Sequence, residues 1–160
     1  MTETPQYILA PYLPTPHKVV YRMLEIAGVT DKDLVYDLGC GDGRILIAAA
    51  RLYGARGVGI DIAPYWAEES RQNALAAGVA DLVQFEVGDA MSIDLSLATV
   101  ITLYLVGWST QKVMSIIMGQ VSEGARIVSH SFSASNWAAL RVETFEDEEE
   151  GRHQLYLWMR

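Results

Sequence analysis

The sequence has 160 residues, of which 51% are hydrophobic, and this length and composition fit one globular domain with an apolar core. Its 20 acidic and 12 basic residues give a net charge of −8, so no general electrostatic attraction draws the chain to nucleic acid or to an anionic membrane. Residues 1–16 have neither the positive start nor the long apolar stretch of a signal peptide or membrane anchor. We therefore predict a cytoplasmic protein that binds no nucleic acid and does not insert into membranes.

The cysteines and histidines give no sign of a disulfide or a metal site. A single cysteine, Cys40, excludes an intramolecular disulfide. The three histidines, His17, His130 and His153, do not have the spacing that is typical of metal ligands. We therefore expect no metal in this protein.

Short apolar runs alternate with longer amphipathic segments from Thr30 to Val128, a pattern typical of βαβ units and a parallel sheet. The predicted elements in chain order are a helix at 17–27, a strand at 34–38, a helix at 44–53, a strand at 57–60, a helix at 65–77, strands at 82–87 and 98–106, a helix at 110–121, and strands at 125–129, 140–145 and 154–159. Thr15 is expected to cap the first helix, with Pro16 at its first position. The predicted fold is α/β: a Rossmann-like, doubly wound sheet of five parallel strands plus a C-terminal antiparallel hairpin, with helices on both faces.

The glycine-rich segment VYDLGCGDGRILIAAA is a buried strand that leads directly into a turn and then an apolar helix. Ligands of such sheets bind beyond the carboxyl ends of the strands. A dinucleotide fingerprint would need a third glycine where Arg44 stands, and no P-loop motif is present. The acids Asp37 and Asp42 are unfavourable for a pyrophosphate group. They suit a ligand that carries an ammonium and a sulfonium group.

The glycine-rich segment and two later segments resemble motifs of a known family. DLGCGDG resembles the first motif of the class I, seven-strand S-adenosylmethionine methyltransferases, GIDIAP resembles their second motif, and VGDA resembles the loop that holds adenine. Asp61 lies 20 residues after Gly41 at the end of the second predicted strand, where a carboxylate can accept both ribose hydroxyls. The resemblance implies a methyltransferase with S-adenosylmethionine as cofactor and S-adenosylhomocysteine as product.

Less specific segments resemble the small seven-strand protein lysine methyltransferases. These segments are PYLPTP, TLYL, RIVSH and LYLW, and the group includes archaeal broad-specificity enzymes and the mitochondrial enzyme that methylates the ATP synthase c-subunit. The resemblance implies a protein lysine substrate. The sequence departs from the group after RIVSH, where Ser131 and Ser133 stand in place of acidic residues. Methylation of a small molecule at nitrogen or oxygen, or a non-catalytic role as a cofactor-binding partner subunit, are the alternatives.

The resemblance also implies a set of cofactor-binding residues. They are Thr15, Asp37, Gly39, Gly41, Asp61, Ile62, Asp89 and Ala90. Asp37 would pair with the cofactor ammonium, Asp61 with the ribose, and Ile62 and Asp89 would contact the adenine. Thr15 belongs to a segment that could fold over the cofactor. The structural alternatives are a tight turn beside Asp37, a helix cap at Asp61 and a turn aspartate at Asp89.

Two residues are candidates for the reaction itself, which is expected to be an in-line displacement at the methyl group. Tyr104 lies near the end of the fourth predicted strand, where methyltransferases place groups around the methyl. His130 follows the fifth predicted strand and could receive a proton. A lysine acceptor must lose a proton first, and a slot of low polarity near Tyr104 would lower the pKa of the amine. A core tyrosine and a structural histidine are the alternatives.

The predicted single domain, 1–160, divides into an N-terminal lid or substrate segment at 1–16, a cofactor-binding core at 17–130 and the hairpin at 140–160. A sheet of this kind uses about 130 residues, which leaves no room for a substrate-capping domain. Recognition of the acceptor is therefore assigned to 1–16 and to predicted loops at 107–110 and 131–137.

The predicted hairpin is strongly acidic. Glu143 and residues 146–150 contribute six acids, and we expect no base to compensate them. A solvated turn that protects the exposed strand edge is the first interpretation. A docking site for a basic partner is the alternative.

Overall fold

The structure is a computed structural model that describes residues 14–104, 107–134 and 136–160, without the side chains of residues 107–110. Residues 1–13 of the predicted lid or substrate segment lie outside the described residues. The structure therefore bears on that prediction only through the residues just before the first helix.

The helices and strands alternate along the chain as predicted. The helices are α1 (His17–Ile26), α2 (Arg44–Tyr53), α3 (Pro64–Ala76) and α4 (Gly107–Gln120), and the strands are β1 (Leu34–Leu38), β2 (Arg56–Asp61), β3 (Val83–Val87), β4 (Val100–Leu103), β5 (Arg126–His130), β6 (Arg141–Asp147) and β7 (Gly151–Met159). The sheet order is β3-β2-β1-β4-β5-β7-β6. The first five strands in that order are parallel, and β7 is antiparallel to both β5 and β6. This confirms the predicted Rossmann-like sheet with its C-terminal hairpin.

Side chains that alternate along the strands form two apolar layers. Val35 and Val100 pack in one layer with the buried faces of α1 and α2. Leu38 and Ile101 pack in the other layer with the buried face of α4. Helices therefore cover both faces of the sheet, and the polar residues near the strand ends are placed by the same alternation.

Two predicted boundaries are wrong in ways that affect the site. Strand β4 ends at Leu103, so Tyr104 lies just beyond it and not within a strand that reaches residue 106. Helix α4 begins at Gly107, so residues 107–110 form its first turn and are not a loop. Ser109 and Thr110 are of the residue types that favour an N-cap, but a cap is worth only about 1 kcal/mol and does not decide where a helix begins.

Thr15 does not cap α1, contrary to the prediction. The N-cap residue is Pro16, without a side-chain hydrogen bond. The Thr15 hydroxyl lies instead 3.0 Å from Nδ1 of His130, and Thr15 is 3% exposed. A tertiary contact has therefore replaced the local one, because the buried imidazole needs a partner that only a neighbouring element can provide.

Bases on α1 compensate several acids of the hairpin, so the expectation of an uncompensated acidic turn is wrong. Nζ of Lys18 lies 3.2 Å from Oδ2 of Asp147 and 3.1 Å from Oε2 of Glu149. Nη2 of Arg22 lies 2.6 Å from Oε1 of Glu143. Sequence order hides these pairs because the two partners are more than 100 residues apart. The exposed pairs of Lys18 add little stability, but together with the part-buried pair of Arg22 and Glu143 they orient the hairpin against α1.

Neither a membrane span nor a metal cluster is found in the parts of the chain that the structure describes. No helix there combines the length and apolar character needed to cross a membrane. No group of three or more His, Cys, Asp or Glu side chains there is arranged to hold a metal ion.

Gly59 in β2 gives a direct test of the packing beneath the glycine loop. A Cβ at this position would lie 2.6 Å from Cδ1 of Phe85 and 2.9 Å from Cβ of Cys40. We expect Gly59→Ala to lower the free energy of unfolding by about 1–3 kcal/mol, because the dense core must shift to admit the methyl group. Gly119→Ala in α4 is the control, since nothing lies within 4 Å of its added Cβ and alanine favours a helix by up to about 1 kcal/mol. Urea unfolding followed by circular dichroism measures both; equal stability of the two variants would contradict the packing.

Candidate active site

The carboxyl ends of the five parallel strands meet at one edge of the sheet, and the predicted site residues lie along it. In sheet order they are Asp89 after β3, Asp61 at the end of β2, Asp37 near the end of β1, Tyr104 after β4 and His130 at the end of β5. Four spacings of about 4.8 Å between neighbouring strands make this edge about 19 Å long. The structure therefore brings together residues that the sequence separates widely.

The glycine loop after β1 is held in a conformation that glycine favours. Gly39, Gly41 and Gly43 have φ angles of 76°, 53° and 84°, a region that other residues rarely adopt. The backbone N–H groups of Gly39 and Cys40 donate to the carbonyl of Ile60 at 2.8 and 3.0 Å. The loop is thus tied to the end of β2 and presents its backbone at the edge.

Asp61 connects the loop to the next helix. Its Oδ2 accepts the N–H of Gly41 at 3.0 Å, and its Oδ1 accepts the N–H of Ala63 at 3.0 Å. The hydroxyl of Ser70 donates to the carbonyl of Gly41 at 2.6 Å and holds the other side of the loop. Each carboxylate oxygen keeps a lone pair, so the turn contacts at Asp61 leave capacity for two hydroxyl donors. Ile62, the next residue, is half-buried beside it.

Asp37 is a buried carboxyl whose charge is sensitive to its surroundings. It is 2% exposed, and its Oδ1 accepts the hydroxyl of Thr102 at 2.8 Å. Burial raises the pKa of Asp37 to about 7; the Thr102 hydrogen bond opposes this rise, and the charges of Asp61 and Asp42 add to it. Near neutral pH, a cationic ligand group beside Asp37 would favour its ionised form.

The loop after β3 is tied to the end of β2. The N–H of Gly88 donates to the carbonyl of Asp61 at 2.9 Å, and Oδ1 of Asp89 accepts the N–H of Met91 at 2.9 Å. Ala90 is 6% exposed and packs in the apolar layer that contains α4. Asp89 therefore makes the turn contact expected of it, and this contact holds its half-buried carboxylate at the edge of the sheet.

Arg44 links the glycine loop to the chain before α1. Its Nη2 lies 2.6 Å from Oδ2 of Asp42, and its Nη1 donates to the carbonyl of Thr15 at 3.0 Å. Asp42 also accepts the backbone N–H of Arg44 at 3.2 Å. The negative charge of Asp42 is therefore partly balanced, and Thr15 is held beside the loop.

Aromatic rings lie against His130 at the β4 and β5 end of the edge. The ring centroid of Tyr104 is 4.2 Å from that of His130 and 5.7 Å from that of Phe132. His130 is 1% exposed, and burial, with a smaller contribution from His153, lowers its pKa to about 4. Burial also raises the pKa of the Tyr104 phenol. Both groups are therefore uncharged at neutral pH, and this end of the edge has low polarity.

Several residues of this arrangement were not singled out from the sequence as site residues. Thr102 holds Asp37, Ser70 holds the glycine loop, and Arg44 holds Thr15. In addition, Nδ1 of His153 lies 2.8 Å from Nε2 of His130. Thr102 could have been found, because it lies two residues before Tyr104 in the predicted strand at 98–106, where alternate residues face the same side. For His153 the sequence holds no signal, because the contact depends on the pairing of β7 with β5.

The chemistry of the edge fits the expected cofactor. Carboxylates of Asp37, Asp61 and Asp89 lie along it, and they accept hydrogen bonds from ammonium and hydroxyl groups. The same charges repel a phosphate group. The edge therefore suits a ligand with an amino-acid end and a ribose, and not a dinucleotide.

Comparison with known proteins shows the family to which this chain belongs. The ANTKMT methyltransferase domain family matches residues 37–141, which is about two thirds of the chain. A protein-lysine N-methyltransferase of Saccharolobus islandicus (strain REY15A) is 39% identical over 150 residues, which cover 93% of this chain and 92% of that protein. This chain belongs to the ANTKMT methyltransferase family. It is an S-adenosylmethionine-dependent methyltransferase, as the first motif predicted.

Two further relatives of this methyltransferase are informative. A crystal structure of an RNA methyltransferase from Salinibacter ruber in complex with S-adenosyl-L-homocysteine is 50% identical, with a TM-score of 0.86, and the match covers 92% of this chain and 93% of that one. The ATP synthase c-subunit lysine N-methyltransferase of Xenopus laevis is 28% identical over 79% of this chain. The match covers 55% of that relative, so this chain spans about half its length. The predicted cofactor, S-adenosylmethionine, is confirmed for this family.

Proposed function

We propose that this methyltransferase transfers a methyl group to the side-chain amine of a lysine residue in a protein. The observation that carries the proposal is the 39% identity, over 93% of the chain, to a protein-lysine N-methyltransferase. None of the relatives described above is named as a small-molecule methyltransferase or as a partner subunit.

We assign the cofactor to the carboxyl edge of the sheet. Asp37, Gly39 and Gly41 would hold its amino-acid end, and Asp61 would accept its ribose hydroxyls. The remaining proposed contacts are Ile62, Asp89 and Ala90 at the adenine and Thr15 beside the glycine loop. This assignment is supported by the order of these residues along the edge and by their acceptor chemistry.

We propose that the single domain divides into three parts. Residues 17–130 would hold the cofactor, residues 1–16 would form a lid over the site or contact the substrate, and residues 140–160 would close the sheet as a hairpin. The proposed compartment is the cytoplasm. Thiols stay reduced there, which suits a chain whose single cysteine, Cys40, is buried and free.

Bound S-adenosylmethionine supplies an electrophilic methyl group, and the acceptor must therefore present a neutral nitrogen. Tyr104, His130 and Phe132 would surround that nitrogen with uncharged rings. A low-polarity wall penalises an ammonium more than an amine, and it also excludes water. The protein would act by orienting the acceptor and by favouring its neutral form.

The charge of the edge favours a lysine over a nucleic acid. Asp37, Asp61 and Asp89 lie along it, while Arg44 is engaged with Asp42 and with the carbonyl of Thr15. The net charge of −8 of the whole chain, to which these acids contribute, attracts an approaching lysine and repels a phosphate backbone. RNA is the second candidate acceptor, because the Salinibacter ruber relative is named an RNA methyltransferase.

An assay with labelled cofactor separates these acceptors. Purified enzyme and methyl-tritiated S-adenosylmethionine are incubated separately with the protein, RNA and small-metabolite fractions of cells, and each product is hydrolysed and chromatographed. We expect label in methyllysine from the protein fraction, and no label when the Asp61→Ala variant replaces the enzyme. Label in methylated nucleosides or only in small metabolites would contradict the proposal, as would tight cofactor binding without transfer to any fraction.

A further inference from the structure

A chain of hydrogen-bonded side chains runs from the active-site edge to the hairpin turn. The hydroxyl of Thr15 lies 3.0 Å from Nδ1 of His130, and Nε2 of His130 lies 2.8 Å from Nδ1 of His153. Nε2 of His153 lies 2.7 Å from the carbonyl oxygen of Glu150. Three consecutive contacts of hydrogen-bond length therefore join a buried hydroxyl to the turn between β6 and β7.

The last contact determines the direction of every other one. A carbonyl oxygen can only accept, so Nε2 of His153 must carry a proton. In neutral His153 the other nitrogen, Nδ1, then accepts from Nε2 of His130. His130 is neutral as well, so its Nδ1 accepts from the Thr15 hydroxyl. All donors in the chain point from the active site toward the turn.

The two ends of this chain lie in different environments. At the inner end Thr15 is 3% exposed and His130 is 1% exposed, and the ring of His130 lies against Tyr104. At the outer end His153 is only half-buried, next to the turn that contains Glu150. One end therefore belongs to the low-polarity wall of the site, and the other is partly exposed to solvent.

We propose that Thr15, His130 and His153 form a proton relay that carries the proton lost by the acceptor amine from the active site to the hairpin turn. The inference rests on the proposed lysine acceptor. A proton of the substrate ammonium passes to the oxygen of Thr15 while the Thr15 proton passes to Nδ1 of His130. The Nε2 proton of His130 passes to Nδ1 of His153. The substrate becomes a neutral amine, His153 becomes an imidazolium, and no bond to a heavy atom changes.

Because His130 is buried, its ring passes protons on and does not remain charged. Its pKa is lowered because a charged imidazole is poorly solvated there, so a proton that arrives at Nδ1 is passed on as another leaves Nε2. Among the residues that the structure describes, the titratable or charged groups next to the relay are Tyr104 just after β4, Arg44 and Asp42 at the glycine loop, Lys18 on α1, and Asp147, Glu149, Glu150 and Arg152 at the hairpin turn. The acids at the turn favour a cation at the outer end. His153 releases its Nε2 proton to water when its contact with the Glu150 carbonyl opens, and reorientation of the donors with proton exchange at His153 then restores the starting order.

The His153→Asn variant separates a relay from a structural role. The Oδ1 of asparagine can accept a hydrogen bond from the Nε2–H of His130, but the amide cannot take up that proton and become a cation. Wild type and variant are compared at saturating S-adenosylmethionine by the rate at which methyllysine forms in the cell-protein fraction, over a pH range of about 6 to 10. The binding of S-adenosylhomocysteine, by calorimetry, and the melting temperature verify that the variant is intact.

We expect the variant to be about tenfold slower or more near pH 7 and to approach the wild-type rate toward pH 10, where about a quarter of the lysine arrives as the free amine, against well under a hundredth at pH 7. His17→Asn, the same change at an exposed histidine outside the relay, should leave the pH profile unchanged. A His153→Asn profile that runs parallel to the wild type overturns the relay and leaves the lysine proposal standing. Wild-type enzyme that forms no methyllysine at any pH overturns the lysine proposal itself.

The direction of the relay has a test that needs no activity. Long-range proton–nitrogen NMR spectra of the wild-type protein identify the tautomer of each neutral imidazole, and we expect the proton on Nε2 in both His130 and His153. A proton on Nδ1 of either ring would overturn the direction derived from the Glu150 carbonyl.

Discussion

Replacing Asp61 with alanine is expected to weaken the binding of S-adenosylmethionine by about 100-fold or more. The change removes the acceptor that holds the N–H of Gly41 at 3.0 Å, so the glycine loop loses its connection to the end of β2. It also removes the proposed ribose acceptor. Hydrogen bonds to a charged group contribute about 1.5–3 kcal/mol each, and two of them correspond to this loss of affinity.

Calorimetry with S-adenosylhomocysteine, together with a circular dichroism melt, measures the effect of Asp61→Ala. Asp94→Ala is the matched control, because Asp94 accepts the N–H of Ser96 at 2.9 Å in a similar local turn but is not among the proposed cofactor contacts. We expect the control to bind as the wild type does. Affinity of a folded Asp61→Ala variant within about threefold of the wild type would contradict the ribose assignment.

Asp37→Asn is expected to remove a pH dependence of cofactor binding. The pKa of Asp37 in the folded protein is about 7, and a cofactor ammonium would pair with its ionised form. Below about pH 7 the ligand must first displace a proton, so wild-type affinity should fall by up to tenfold per pH unit. Asparagine carries no charge, so the variant should bind weakly with an affinity that does not follow this titration.

The same substitution should change how stability varies with pH. Between about pH 4 and pH 7 the folded wild type holds a proton on Asp37 that the unfolded chain has lost, so its stability falls as the pH rises. Relative to Asp37→Asn, we expect the wild type to lose up to about 4 kcal/mol over this range. His130, with its lowered pKa, acts in the opposite direction, but it titrates in both proteins and cancels in the comparison.

Calorimetric titrations with S-adenosylhomocysteine and urea unfolding curves, each recorded at several pH values, test both expectations for Asp37. The slope against pH is the decisive quantity, because asparagine also alters the hydrogen bond with Thr102. A wild-type affinity that stays constant from about pH 5.5 to pH 8 would contradict the proposed pairing with the ammonium.

Local patterns accounted for most of the fold. The apolar runs at β1 and β5 and the glycines that stop α1 and α3 lie where period and turn chemistry place them. Helix α2 has the predicted bounds of Arg44–Tyr53, because an apolar run between two glycines leaves little choice. The end of β4 and the start of α4 were wrong, since a nearly all-apolar run carries no signal for where the strand stops.

Part of the candidate site was also readable from the sequence. The D-x-G-x-G-x-G pattern placed Asp37 and the glycines on one turn, and the 20-residue spacing placed Asp61 beside it. These inferences work because neighbouring parallel strands bring their carboxyl ends to one edge. Their roles toward the cofactor remain predictions, which the two variants above address.

By itself the sequence determined the α/β class, the glycine loop and the methyltransferase family, because these depend on local propensity, on short spacings and on motifs within a few turns of chain. Only the tertiary structure decided the partners of the polar groups: Thr102 for Asp37, α1 for the acidic hairpin, and His153 for His130. Each of these contacts joins side chains that lie far apart in sequence. Burial then sets their protonation, since the cost of a charge depends on what surrounds it and not on its neighbours along the chain.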